Sequence, residues 1–170
     1  MCEKNCQQKS MIHMTNKIQI NFRPFIYEKN IETICEYHKD HIKINFPGTK
    51  FKKDIFKSQV EKEYTEEPEG MFIIEDKEKT KDIGFLWLNT KEDIYKEQLF
   101  GDVHYIHLIK EYRGIGIGKN IMEKIDDYFK EKHVNELRIG TNYNNKAALQ
   151  LYENNGYTPE RIMFIKNLKE

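Results

Sequence analysis

The stretch VHYIHLIKEYRGIGIGKNIM, residues 103–122, decides the fold because its composition changes from one type of secondary structure to another within a few positions. Residues 103–109 are rich in β-branched and aromatic side chains, which is typical of a strand. Beyond Gly116 the apolar residues recur at helical spacing, at Ile117, Ile121, Met122, Ile125, Tyr128 and Phe129. The stretch therefore predicts a strand, a short basic turn and a helix.

The turn itself, RGIGIG at residues 113–118, has the composition of an anion-binding loop. Its three glycines allow the backbone to come close to a ligand. The first turn of the following helix presents unpaired N–H groups that carry a partial positive charge. A loop of this kind suits a phosphate or a pyrophosphate.

The glycine spacing excludes two well-known phosphate loops. A Walker loop needs a glycine where this chain has Arg113, and a Ser or Thr where Asn120 follows Lys119. A dinucleotide-binding fingerprint also fails, because its third glycine is absent whether the count starts at Gly114 or at Gly116.

The spacing that fits is Arg-x-x-Gly-x-Gly, formed by Arg113, Gly116 and Gly118. It resembles the acyl-CoA pyrophosphate loop of the GNAT superfamily of N-acetyltransferases. Downstream, NKAALQLYENNGY at residues 145–157 resembles the second signature of the same superfamily, with tyrosine in place of the final phenylalanine. The resemblance is specific over residues 103–157. It departs from many members after residue 109, where they have a proline.

The resemblance implies a mixed α/β (α+β) GNAT fold, with a splayed central sheet of about six to seven strands flanked by about four helices. Residues 1–16 are expected to form a flexible N-terminal leader, and residues 17–170 a single N-acetyltransferase domain. The apolar patterns predict strands at 17–25, 71–75, 83–89, 103–109, 136–141 and 163–167, and helices at 30–38, 51–64, 116–133 and 145–155.

The composition excludes several classes of protein. Lys plus Arg and Asp plus Glu both total 28, so no overall charge favours nucleic acid or a membrane surface, and neither partner is expected. The chain lacks an apolar run of membrane-spanning length and a signal peptide, which predicts a cytoplasmic protein. Cysteines at positions 2, 6 and 35 fit no disulfide framework, and free thiols are favoured over metal binding by Cys2, Cys6 and His13. No metal is expected.

The resemblance also implies how the acetyl donor, acetyl-CoA, would be held. The fourth and fifth strands would splay and admit the pantetheine arm, which would bond to the backbone of Ile106 and Leu108. The N–H of Leu108 or Ile109 would polarise the thioester carbonyl. The pyrophosphate would take the N–H groups of Gly114, Ile115, Gly116, Ile117, Gly118 and Lys119, with Arg113 adding charge. Asn145 is expected to contact the cofactor or simply to cap a helix.

Three side chains are candidates for catalysis. Tyr152 matches the family tyrosine that points at the cofactor sulfur, and its alternative role is core packing. Asp102 and His104 share one face of the fourth strand if side chains alternate, so either is a candidate general base. The alternative for both is an ordinary strand residue. The same alternation puts His107 on the opposite face.

These expectations describe an enzyme that moves an acetyl group from acetyl-CoA to a primary amine by direct attack in a ternary complex. The amine belongs to a small molecule or to a peptide or protein, and the sequence does not choose between them. The alternatives are an acyl-CoA-binding regulatory or interaction module without turnover, and a protein-interaction domain without a cofactor. A homodimer is common among relatives, but no pattern specifies an interface.

Overall fold

The computed structural model describes residues 18–166 and residue 168. Within this range the strands are β1 (Ile20–Pro24), β2 (Met71–Asp76), β3 (Lys81–Asp93), β4 (Gln98–Leu108) and β5 (Leu137–Ile139). The helices are α1 (Tyr27–Asn45), α2 (Lys53–Glu66), α3 (Ile117–Glu131) and α4 (Lys146–Asn154), with short 3-10 turns at Pro68–Gly70 and Lys110–Tyr112. The predicted leader, residues 1–16, lies outside the described residues.

The five strands form one mixed sheet in the order β1-β2-β3-β4-β5. The pairs β1–β2, β2–β3 and β3–β4 are antiparallel, and β5 runs parallel to β4. The parallel pairing covers only Gly101–Val103 against Leu137–Ile139, whereas β4 continues to Leu108. The outer edge of residues 104–108 therefore has no strand partner in the described part of the chain, which is the opening expected between these two strands.

A separate apolar core lies on each face of the sheet. Helices α1 and α2 cover one face, where Ile34, Cys35, Val60, Phe85 and Trp87 are buried. Helix α3 covers the other face with its apolar stripe, and Leu151, Tyr152 and Tyr157 pack against that second core. The two faces of β4 consequently meet different helices. None of the helices in the described range is long and apolar enough to cross a membrane.

The predicted last strand, residues 163–167, is wrong for the residues that the structure describes. Residues 158–166 are irregular, and Met163, Phe164 and Ile165 are more than four-fifths exposed. Asn167 lies outside the described residues. An apolar run satisfies strand propensity, but a strand also needs an edge to pair with, and β5 offers only three residues. The described sheet therefore has five strands instead of the six to seven expected.

Residues 90–100, which lie between two of the predicted strands and are rich in charge, are mostly sheet. Residues 90–93 of β3 pair with residues 98–101 of β4, and Glu97 takes a positive φ of 51° in the turn between them. Asp93 and Arg138 form an ion pair that links this hairpin to β5. The Arg138 guanidinium also lies 3.8 Å from the centre of the Phe100 ring. This cluster holds β5 against the N-terminal half of β4.

Replacement of Asp93 by Asn is expected to destabilise the fold in a pH-dependent way. The hydrogen bond from Arg138 lowers the pKa of Asp93 from 3.8 to about 2. A carboxylate with a depressed pKa contributes stability above its unfolded pKa and loses that contribution as the pH falls through its folded pKa. Urea unfolding of the wild type and of Asp93→Asn should therefore show a gap in stability that is constant from pH 7 to about pH 5 and narrows as the pH falls further, through 3.8 to about 2.

Glu92→Gln serves as the control, because Glu92 is an exposed carboxylate on the neighbouring residue. A gap for Asp93→Asn that stayed constant from pH 7 to pH 2 would show that the side chain acts through packing and not through its charge.

Candidate active site

The glycine loop after β4 has the geometry of a cradle for an anionic group. Gly114 and Gly116 adopt φ values of +74° and +89°, a region that favours glycine, and a Cβ on either residue would meet no atom within 4 Å. Helix α3 begins at Ile117, so the N–H groups of its first turn have no partner inside the helix. Among the described residues, the N–H groups of residues 114–119 donate no backbone hydrogen bond outside α3. The loop thus offers open backbone donors at the positive end of a helix dipole.

Gly118, the third glycine of the loop, has a packing role. A Cβ at this position would lie 3.0 Å from the side chain of Leu151, which is on α4. The absence of a side chain lets α4 pack directly on the first turn of α3. The sequence motif therefore combines two requirements, because Gly114 and Gly116 shape the loop while Gly118 seats a neighbouring helix.

Tyr112, the residue before the loop, is anchored by a residue that is distant in the sequence. Tyr112 is buried, and its hydroxyl donates to Asp76 Oδ2 at 2.7 Å. Asp76 Oδ1 also accepts the N–H groups of Glu78 and Lys79, at 3.0 and 3.2 Å. The Tyr112 hydrogen bond is the main reason that the pKa of Asp76 lies below its ordinary value. The turn between β2 and β3 thus fixes the position from which the cradle starts.

The open end of β4 directs alternate backbone groups outwards. The N–H of Ile109 donates to the carbonyl of Ile83 on β3 at 2.8 Å. Backbone groups alternate along an antiparallel ladder, so those of Ile106 and Leu108 face the opening. Of the two N–H donors expected to meet a thioester carbonyl, that of Ile109 is already engaged and that of Leu108 is directed towards the opening.

Arg113 crosses from the cradle to the face of the sheet that α1 covers. Its Nε donates to the carbonyl oxygen of Leu108 at 2.6 Å, and its Nη2 lies 3.3 Å from Asp40 Oδ2 on α1. The sequence predicted that this guanidinium would add charge at the pyrophosphate. In the structure it links the end of β4 to α1.

His104 lies beside Asp102, next to a β-bulge. Trp87 pairs with Tyr105 and Leu88 pairs with Val103, so His104 is an extra residue on β4. His104 Nδ1 lies 3.5 Å from Asp102 Oδ2, and the His104 ring lies 4.3 Å from the Trp87 ring. The prediction that the two candidates share a face is confirmed, because side chains alternate normally from Asp102 to His104 and the bulge interrupts the alternation only after His104.

The bulge also corrects the prediction for His107. Since the side-chain alternation is interrupted at His104, His107 lies on the same face, where its ring stacks on Tyr37 of α1 at 4.9 Å. Burial, with a smaller contribution from Arg113, lowers the pKa of His107 to about 4. His107 is therefore neutral at physiological pH and packed against α1.

Asp102 is held in its ionised form. Burial raises the pKa of Asp102, but hydrogen bonds from His104 and Lys91 outweigh this effect, and the pKa lies below its usual value. The His104 side chain is 31% exposed, so solvent and small groups reach it. A carboxylate that holds an accessible imidazole is an arrangement suited to accepting a proton.

A layer of aromatic and histidine rings, which was not predicted from the sequence, lies between α1 and β4. His38 stacks on Phe56 at 4.0 Å and lies 5.6 Å from the Tyr105 ring, and burial lowers the pKa of His38 to about 4. His38 Nδ1 and the Tyr105 hydroxyl are buried and have no hydrogen-bond partner among the described residues. The sequence contained one indication, since His38 and His41 recur at helical spacing on α1.

Helix α4 brings Tyr152 to the other side of the opening. Tyr152 packs against the same core as Ile106 and Leu108, and burial raises its pKa, which keeps the hydroxyl protonated. Asn145 Oδ1 accepts the N–H of Ala148 at 3.2 Å, which confirms its role as a helix cap. Its contact with a cofactor stays a prediction. Among the described residues, no cluster of three or more His, Cys, Asp or Glu side chains is placed to hold a metal ion.

Comparison with known families now identifies the class of protein. The model of the acetyltransferase (GNAT) family matches residues 35–157, which include the cradle, the end of β4 and α4. The chain belongs to this family. The family assignment agrees with the mixed sheet, with the opening between β4 and β5, and with the two sequence motifs.

Individual proteins of known sequence or structure also resemble this GNAT chain. It is 31% identical to N-alpha-acetyltransferase 30 of Saccharomyces cerevisiae over 105 residues, which span 61% of this chain and 60% of the yeast protein. The NatC complex bound to Gag peptide and CoA contains a chain of the same fold, with a TM-score of 0.70 and 22% identity over 89% of this chain and 92% of that one. A possible acetyltransferase from Clostridium difficile 630 gives a TM-score of 0.69 and 18% identity, over 89% and 99% of the two chains.

Proposed function

We propose that this GNAT chain transfers an acetyl group from acetyl-CoA to the α-amine at the N-terminus of a peptide or protein. The observation that carries the proposal is the position of the glycine cradle directly beyond the unpaired end of β4. When bound, acetyl-CoA would supply an activated acetyl thioester. The chain itself would bind the donor, orient the amine and handle protons.

The residues at the opening fit such a donor. The open φ > 0 glycines and the first turn of α3 suit a pyrophosphate. The outward backbone groups of Ile106 and the outward N–H of Leu108 suit the amides of a pantetheine arm, while the Leu108 carbonyl oxygen accepts from Arg113. A negatively charged group at this helix terminus would be stabilised without any lysine contact. The backbone geometry thus supports the cofactor assignment independently of the two sequence motifs.

The proton chemistry supports an α-amine as the acceptor. An α-amine titrates near 7.7–8.0, whereas a lysine amine titrates near 10.4 and is neutral in roughly one molecule in a thousand or fewer at pH 7. His104, held by Asp102, would take the proton of the amine on the α1–α2 face of the sheet. The names of two relatives point the same way, since one is an N-alpha-acetyltransferase and the other complex is bound to a peptide.

Tyr152 would act on the opposite side of the opening. Its hydroxyl stays protonated because burial raises its pKa. From α4 it would hold a proton near the position at which a leaving thiolate needs one. The base and the acid would therefore approach from the two different faces of the sheet.

The transfer is proposed to be direct, without an acetylated enzyme. Cys35 is fully buried on α1, and burial raises the pKa of its thiol, which disfavours the nucleophilic thiolate. With radiolabelled acetyl-CoA, a lysine-free peptide with a free N-terminus should become labelled. A matched peptide with a blocked N-terminus and one lysine should not, and the denatured protein should retain no label.

Label on the blocked peptide alone would reject the α-amine as acceptor. Label that persisted on the denatured protein would reject direct transfer, and this test includes Cys2 and Cys6, which lie outside the described residues.

The cradle is tested by thermal unfolding with acetyl-CoA, CoA, ATP and NAD. A ligand at a hundred times its dissociation constant stabilises a protein by about 2.7 kcal/mol, so acetyl-CoA and CoA should raise the melting temperature while NAD should not. Gly116→Asp should abolish the shift, because it puts a negative charge where the pyrophosphate binds.

Gly116→Asn is the matched control, since Asn has the same shape and a similar backbone strain but no charge. It should keep most of the shift. If neither CoA compound stabilised the folded wild type, the acyl-CoA site would be wrong and a role without cofactor would replace it.

The two catalytic assignments are tested with paired variants. A positioned general base or acid contributes about 10²- to 10⁴-fold to a rate, so His104→Gln and Tyr152→Phe should each lower kcat by about a hundredfold or more. His133→Gln and Tyr157→Phe are controls that remove the same groups from the turn after α3 and from the core beside α4.

All four variants should still be stabilised by CoA in the unfolding assay. Full activity of His104→Gln would leave Asp102 or solvent as the proton acceptor. Wild-type CoA binding with no turnover on any amine would favour the regulatory module instead.

A further inference from the structure

The junction between α1 and α2 surrounds an open cavity of about 620 Å³ that carries excess positive charge. Its charged lining consists of Glu36 and four lysines, Lys39, Lys43, Lys50 and Lys53. Its apolar lining includes Ile42, Pro47 and Phe51. The whole chain has no net charge, so this local imbalance sets the cavity apart from the rest of the surface.

The lysines of this cavity are available for an incoming anion. Lys43 and Lys50 are exposed and form no ion pair with any described residue. Lys39 pairs with Glu36 at 3.4 Å, with both side chains more than 60% exposed, and Lys53 pairs with Glu32 at 2.6 Å. Exposed pairs of this kind contribute little and exchange easily with another carboxylate.

A continuous wall of rings joins the cavity to the candidate base. The Phe51 ring, which lines the cavity, lies 5.7 Å from His38, and His38 lies 5.6 Å from Tyr105. Tyr105 is the neighbour of His104 on the same face of β4. The Phe51 and Tyr105 ring centres are thus at most about 11 Å apart. An extended peptide advances about 3.4 Å per residue, so a chain whose amine lies beside Tyr105 would bring its residues three to five towards the cavity.

We propose that this cavity selects acceptor peptides that carry Asp or Glu at positions three to five. The inference rests on the proposed function, because it assumes a polypeptide whose N-terminal amine lies at His104. The lysine ammonium groups would meet the carboxylates at the rim, and the apolar floor would cover the stems of the acidic side chains.

The observations favour a peptide over nucleic acid as the occupant. The four lysines line one concave site with an apolar floor, whereas nucleic acid binding needs basic groups spread along a phosphate backbone. The balanced total charge provides no long-range attraction for a polyanion. A short acidic segment matches both the extent of the site and its sign.

The test compares three peptides that differ only at positions three to five, which are all Glu, all Gln or all Lys. With the wild type, the Glu peptide is expected to have a KM about three- to thirtyfold lower than the Gln peptide, at similar kcat. The Lys peptide should have the highest KM. The difference should shrink at high salt, because ions screen exposed charges.

A charge reversal separates recognition from folding. In Lys43→Glu/Lys50→Glu the order of the Glu and Lys peptides should invert, while the KM of the Gln peptide stays close to that of the wild type. Lys130→Glu is the control, since Lys130 is an exposed lysine on α3, across the sheet. A merely structural role of the two lysines would weaken all three peptides equally.

The outcomes distinguish this inference from the function on which it rests. If no peptide is acetylated while a small amine is, the proposed acceptor class is wrong. If all three peptides are acetylated with equal KM, the function stands and the inference is overturned. If an RNA oligonucleotide binds the wild type but not the reversed variant, and the peptides show no preference, the lysines serve nucleic acid and the inference is again overturned.

Discussion

The site depends on one constraint, which is that the parallel pairing between β4 and β5 stops after three residue pairs. Only residues 101–103 of β4 have a parallel partner, so its last five residues keep one edge free within the described structure. A free edge in the middle of a covered sheet is costly unless something bonds to it. Here it faces the glycine loop, and the backbone that lacks a strand partner becomes the floor of a binding cleft.

The sheet separates the two halves of the reaction. The cradle, α3 and α4 with Tyr152 lie on one face, while His104, Asp102 and the ring layer of α1 lie on the other. The bulge at His104 extends the second face, because it turns Tyr105 and His107, which regular alternation would direct to the α3 side, towards α1. Donor and acceptor would then meet only across the open end of β4.

The features that the sequence could predict are those decided by near neighbours. The glycine loop and the cap at Asn145 depend on a few adjacent residues, and both are found in the structure. The bulge, the extension of β3 and β4 through charged residues, and the unpaired segment after α4 depend on which strand lies alongside, which composition does not encode. The ring layer depends on how α1 packs on β4, so His38 and Tyr105 were missed.

Gly118 and Leu151 bring the loop and the tyrosine helix into direct contact. The Leu151 side chain of α4 packs against Gly118 in the first turn of α3, and Tyr152 follows Leu151 directly. A displacement of the loop would therefore change the packing of the residue next to Tyr152. Binding of acetyl-CoA in the cradle and alignment of the Tyr152 hydroxyl would then be coupled. The hydroxyl would not be aligned for proton donation when the site holds no acetyl-CoA.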